Sequence, residues 1–115
     1  MEVSLSDWGS TRVLQVRGRL DHSHARDFET VLMPHLAECT QAGRALVLDF
    51  SGVVYISSVG LRVLLVAAKQ VKAQQGRIAI AALTPIVTEV FEVSHFNLVL
   101  AVYPDVAAAV TALTA

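Results

Sequence analysis

Two adjacent serines, Ser57 and Ser58, stand just before Gly60 and are the residues of this chain best suited to chemistry. Upstream lies an apolar run, Ala45 to Leu48, with the length and composition of a buried strand. Asp49 ends that run, and a short polar stretch containing Ser51 and Gly52 follows. Downstream, Leu61, Leu64, Leu65 and Ala68 fall on one helical face, with Arg62 and Lys69 off it. The pattern predicts that the serines sit where an open loop enters a helix. Backbone N–H groups there lack partners inside the helix, and the macrodipole is positive. Such a place suits a phosphate. A serine hydroxyl there can be phosphorylated, and the added charge of about −1.5 to −2 is tolerated by the fold. The same two serines also read as a plain helix cap, since serine is a favoured cap residue, and both readings can hold together.

Other residues are weighed against that site. Asp21 ends an earlier apolar alternation and reads as a cap for the helix after it. With the second and third strands as neighbours, Asp21 and Asp49 are expected to end near the serine loop, where they order the loop or contact a partner. Gly60 reads as a close backbone approach at the helix start. Arg62 is either simply solvated or a partner contact. A phosphoaspartate receiver needs clustered acids for Mg²⁺ near the first strand, and Asp7 alone does not supply them. His22, His24, His35 and His95 lack a set at ligand spacing, so no metal is expected. Cys39 reads as a structural thiol, and Trp8 and Phe96 as core or edge packing. No G-x-S-x-G elbow or positioned base accompanies Ser58, so no enzyme is expected. Gly52 and Gly60 are isolated, so no phosphate loop and no cofactor are expected either.

The composition narrows the function classes. One domain over residues 1–115 is expected, burying roughly two thirds of its unfolded surface. Apolar residues make up 54 % of the chain, rich in Val, Ala and Leu, which suits a sheet covered by helices. No apolar stretch approaches the ~20 residues of a membrane span, so no membrane partner is expected. Residues 1–12 lack a basic head and apolar body, so no signal peptide is expected. With one cysteine and no internal disulfide, a cytoplasmic location follows as the default. The nine basic residues are scattered against ten acidic ones, giving a net charge of −1 and no concentrated face for nucleic acid.

The elements that must carry the serines follow from periodicity. Val3 and Leu5 alternate with polar neighbours, Gly9-Ser10 marks a turn, and Leu14, Val16 and Leu20 alternate again, together predicting a hairpin. Ala25, Phe28, Val31, Leu32 and Leu36 form a helical stripe, which Pro34 should kink or end. Ala45 to Phe50 is the third strand and Gly60 to about Gln75 the second helix, with Gly76 as its C′ residue. Ile78 to Ile80 is a fourth strand. Thr84-Pro85 starts a helix with Ile86, Val87, Val90 and Phe91 inward. Leu98 to Val102 is a fifth strand, and Asp105 caps a last helix with Val106, Val110 and Leu113 inward. The order ββαβαβαβα predicts an α/β fold: a mixed five-stranded sheet, an N-terminal hairpin followed by parallel strands, with about four helices.

This order, together with two motifs, resembles the STAS family, and within it the anti-sigma factor antagonists. Gly18-Arg19-Leu20-Asp21 matches the family's G-x-[LI]-D. The segment from Val47 through Asp49, Tyr55-Ile56, Ser57-Ser58 and Val59-Gly60-Leu61 matches its central signature of strand, Asp, loop, acidic-Ser-Ser/Thr, Gly and helix. It departs twice: Ser57 replaces the acidic residue and Val59 the second hydroxyl residue. The resemblance implies the STAS fold and makes Ser58 the phosphorylated residue, with Ser57 as the alternative. It implies partner switching. The unphosphorylated chain binds an anti-sigma factor with serine kinase activity, phosphorylation releases it, and a serine phosphatase reverses the step. Asp21, Asp49, Ser57, Val59, Gly60 and Arg62 are the expected partner-binding or loop-ordering residues. The alternative is a STAS accessory module of a transporter ATPase or of another phosphatase or secretion signalling system.

Overall fold

The computed structural model describes residues 1–114. Strands β1 (Glu2–Trp8) and β2 (Thr11–Leu20) form the expected hairpin across Gly9-Ser10, and helix α1 (Ala25–Glu38) follows. Then come β3 (Leu46–Ile56), α2 (Ser58–Ala73), β4 (Ile78–Ala81) and α3 (Pro85–Val93). A 3₁₀ turn (Phe96–Leu98), β5 (Val102–Tyr103) and α4 (Val106–Thr114) complete the chain. The five strands lie in the order β1-β2-β3-β4-β5; β1 is antiparallel to β2 and the remaining pairs are parallel.

Alternation within the strands divides two cores. Leu14, Val16, Leu46, Leu48, Phe50 and Ile80 face α1, α2 and α3. On that side Phe28 of α1 meets Phe50 edge-on, with ring centroids 6.3 Å apart. Val13, Val47, Ala79 and Ala81 point the other way, onto Ala109 of α4. The small side chains of β4 let α4 lie close to the sheet. Val106, Val110 and Leu113 pack beside them, and Asp105 caps α4 by accepting from the Ala108 N–H at 2.8 Å.

Strand β3 is longer than the sequence predicts. It runs to Ile56, not Phe50, because it stays paired with β2 as far as Leu20, carrying two extra residues against it. The register steps from Gln15↔Asp49 to Arg17↔Gly52, and from Gly18↔Val53 to Arg19↔Tyr55. Each step is a bulge, which breaks strict alternation. Inward residues therefore change spacing from Leu46, Leu48 and Phe50 to Val53 and Ile56.

Other expectations are corrected too. Pro34 does not end α1, which continues to Glu38; the proline lies on the exposed face. Val31 and Ile86 are exposed rather than inward. The segment expected as the fifth strand begins as a 3₁₀ turn, entered through His95 in left-handed conformation (φ 57°). That turn buries Phe96 against Phe91, and β5 keeps only two residues. Gly76 is not the C′ residue of α2. Gln75 takes the left-handed position (φ 58°), with its N–H on the Lys72 carbonyl, while the Gly76 N–H reaches back to the Val71 carbonyl. This is a Schellman ending with a non-glycine at C′. Gly76 is required for another reason: a Cβ there would overlap the Cys39 carbonyl. Cys39 itself is buried, its thiol donating to the Arg77 carbonyl at 3.2 Å, and burial pushes its pKa up.

Gly76→Ala forces that backbone contact apart. We expect a loss of about 1–3 kcal/mol, the usual cost of overpacking, read as a lower urea midpoint with unchanged slope.

Candidate functional site

No loop separates β3 from α2. Ser57 alone joins them, in extended conformation (φ −92°, ψ 172°). Its backbone N–H donates to the Leu20 carbonyl at 2.9 Å, continuing the ladder between β3 and β2 by one bond. Its hydroxyl donates to the same carbonyl at 3.2 Å and accepts from the Gly60 N–H at 3.3 Å. Ser57 is thus the N-cap of α2, satisfying an amide that the helix cannot.

Gly60 makes this joint possible. It is buried, and a Cβ there would stand 2.7 Å from the Leu20 carbonyl oxygen and 2.9 Å from the Ile56 side chain. The first turn of α2 therefore rests directly on the ends of β2 and β3. Ser58, the first residue of α2, is exposed. The two serines that sequence alone left as equivalent acceptors differ in kind: one hydroxyl is engaged by backbone on both sides, the other faces solvent.

Asp21 follows the carbonyl that holds Ser57, so its turn lies beside the serine joint. It does not cap α1 by its carboxylate, because α1 begins four residues later, with His24 as N-cap and no side-chain cap. The carboxylate instead accepts from the Ser23 N–H at 3.1 Å and lies 2.8 Å from His24 Nδ1. Arg19 Nε is 3.5 Å away, and the Arg19 guanidinium covers the Tyr55 ring at 4.5 Å. The hydrogen bond to His24 holds the Asp21 carboxyl below its ordinary pKa.

Asp49 is not part of this cluster. It lies inside β3, paired with Gln15 and Ala81. Eight positions separate it from Ser57, two of them taken up by bulges, so at ~3.3 Å per paired residue it is roughly 20 Å away. It accepts from the Ser51 N–H at 3.0 Å and so shapes the first bulge. Among the histidines, His22 is exposed in the turn before α1, His24 is bound to Asp21, and His35 packs near Arg12. Among the described residues no three His, Cys, Asp or Glu side chains converge, and no helix is long and apolar enough to cross a membrane.

A groove opens at Val59, the residue after Ser58, and runs between α1 and α2. Its near half, about 270 Å³, is lined by His22, Arg26 and Glu29 on one side and Val59, Arg62 and Val66 on the other. It continues as about 220 Å³ past Met33, Leu36, Ala67 and Gln70. Val59, Val66 and Met33 are 42 %, 51 % and 58 % exposed. The sequence reading found Val59 and Arg62 but missed Val66 and Met33. The signal was present: Val59, Arg62 and Val66 are spaced i, i+3, i+7, a second helical stripe beside the buried one.

Comparison with known proteins bears on the family and the fold. The family model for the STAS domain matches residues 5–109. This chain belongs to the STAS family. BtrV of Bordetella bronchiseptica, which carries the provisional name anti-sigma factor antagonist, is 34 % identical over 104 residues, covering 90 % of this chain and 84 % of BtrV. An anti-sigma factor antagonist from Mycobacterium paratuberculosis superposes with a TM-score of 0.88 at 23 % identity, over 99 % of this chain and 94 % of that one. SpoIIAA, a Bacillus cell fate determinant, superposes in its phosphorylated form with a TM-score of 0.66 at 18 % identity, over 93 % of this chain and 96 % of that one. At these identities the two structures speak for the STAS fold.

The two serines separate by stability. Ser57→Ala loses the cap and should cost about 0.5–2 kcal/mol, while Ser58→Ala should stay within about 0.5 kcal/mol of the native chain. Chemical denaturation of both variants reads the difference.

Proposed function

We propose that this chain is an anti-sigma factor antagonist that works as a phosphorylation-controlled docking module rather than as an enzyme. The observation that carries the reading is the solvent-facing Ser58, one residue before Val59 of an apolar, charge-rimmed groove and beside a serine whose hydroxyl is already engaged. Kinship with BtrV and the likeness to SpoIIAA support it.

In this reading the unphosphorylated chain docks an anti-sigma factor with serine kinase activity along the α1–α2 face. Met33, Val59 and Val66 supply apolar area, and Arg26, Glu29 and Arg62 set the register at the rim. Docking of the partner frees its sigma factor. The partner's bound ATP then donates its γ-phosphoryl group to Ser58 Oγ: a P–O ester bond forms, the bond to ADP breaks, and the hydroxyl proton leaves. A serine phosphatase returns the hydroxyl by hydrolysis.

The switch follows from where the new charge sits. At the first residue of α2 a phosphate is accommodated by the positive helix end, so the fold persists. In the docked complex the same dianion must shed water at the edge of an apolar contact, so the complex weakens. Asp21, already ionised and close to the joint, adds to the negative field.

The test is calorimetric titration of the cognate anti-sigma factor with native chain and with Ser58→Asp. We expect at least a tenfold loss of affinity, about 1.4 kcal/mol, with an unchanged circular dichroism spectrum. Equal affinities would overturn the charge switch.

A further inference from the structure

The outer edge of β1 has no partner in the fold. β1 ends the sheet, and no backbone bond from elsewhere in the described residues reaches Glu2–Trp8 except those of β2. The hairpin fixes which groups are free. Trp8 faces Thr11 across the two-residue turn Gly9-Ser10. The closing pair of such a hairpin is hydrogen-bonded, and bonded and non-bonded pairs then alternate. Glu2, Ser4, Ser6 and Trp8 therefore bond inward to β2, while Val3, Leu5 and Asp7 present N–H and C=O outward.

Edge strands are ordinarily protected by proline, lysine, a bulge or a covering element. Among the described residues this one has no proline, lysine, bulge or cover, and its two charged residues, Glu2 and Asp7, are already ion-paired within the chain. All seven of its residues pair with β2 without a register shift, and Leu5 and Trp8 are 53 % and 46 % exposed. Beneath it, α1 stands away from the sheet and leaves a cleft of about 380 Å³ between Val3, Leu5 and Val31, with His24, Asp27 and His35 at its rim.

We propose that β1 is a self-association edge: two copies of this chain pair β1 to β1, antiparallel, about a two-fold axis through Leu5. The strand is complementary to itself in this register. Leu5 pairs with Leu5, Ser4 with Ser6, Val3 with Asp7 and Glu2 with Trp8. All seven residues are used, and the outward groups of Val3, Leu5 and Asp7 meet in about six backbone hydrogen bonds. Length excludes an axis at Val3, which would leave Ser6 to Trp8 unpaired, and charge excludes one at Asp7. No acid faces an acid, whereas an axis moved to Asp7 would set two carboxylates opposite each other. Asp7 already lies 3.3 Å from Arg12 and 2.9 Å from Arg44, and Glu2 3.3 Å from Arg17, so neither strand brings an unpaired charge to the seam. The two Leu5 side chains, on the α1 face, then cover the mouths of both clefts. The α1–α2 groove lies on the opposite flank of α1 and stays open, so the inference does not rest on the proposed function.

Sedimentation of the native chain from micromolar to millimolar concentration should show a monomer–dimer equilibrium. Leu5→Lys sets two ammonium groups on the axis and should weaken association at least tenfold, with its thermal melt confirming the fold. Leu5→Cys should form a disulfide dimer on mild oxidation, since opposed residues in a bonded pair have Cα atoms ~5.5 Å apart. Val3→Cys should not, its two copies being roughly 13 Å apart; the native chain, whose Cys39 is buried, is the background. A native chain that stays monomeric throughout, a dimer indifferent to Leu5→Lys, or crosslinking through Val3→Cys instead of Leu5→Cys would each overturn the proposal. Dependence on a strand from a different protein would appear as the first of these.

Discussion

The Leu20 carbonyl is the point on which the site turns. It accepts both the backbone amide and the hydroxyl of Ser57, and the same hydroxyl takes the Gly60 amide. One acceptor at the end of β2 therefore fixes where β3 stops, where α2 starts and how closely the helix approaches the sheet. Each link needs its residue type. A hydroxyl must both donate and accept, and only glycine fits a position where a Cβ would meet that carbonyl at 2.7 Å. With the joint clamped, the next side chain, Ser58, projects to solvent.

The rest of the fold serves that joint. The two bulges in β3 absorb two residues, so that Ile56 reaches Leu20 while Leu46, Leu48 and Phe50 still face the helices. Between the two bulges the alternation shifts by one, which turns Val53 inward, and the second bulge restores it at Ile56. The family's acidic residue is replaced here by Ser57, and the structure gives the replacement a role. A hydroxyl can donate to the Leu20 carbonyl, which an ionised carboxylate cannot. Asp21, held by His24 and Arg19, is the acid that stays beside the joint.

The sequence made local features readable and obscured those that depend on distant pairing. The apolar run from Ala45, the Thr84-Pro85 helix start and the Asp105 cap depend on neighbours along the chain, and all appear where expected. The Ser57–Ser58–Gly60 cluster was readable for the same reason. Asp49 was misjudged because its distance from the serines depends on how far β3 continues, and bulges erase the alternation that would reveal it. Gln75 at a left-handed helix end was hidden by the adjacent glycine, whose own role is contact with Cys39. The fifth strand shrank because burial of Phe96 against Phe91 favoured a turn over an extended run. Val66 and Met33 were passed over because an apolar residue off the main stripe is unremarkable until a second helix is seen beside it.

The central claim is that neighbouring hydroxyls have unequal reach. It is tested most directly by mapping phosphate after incubation with ATP and the cognate kinase, in the native chain, Ser57→Ala and Ser58→Ala. The account predicts a single phosphate on Ser58 in the native chain, retained in Ser57→Ala and lost in Ser58→Ala. A phosphate that persists in Ser58→Ala and disappears in Ser57→Ala would contradict it.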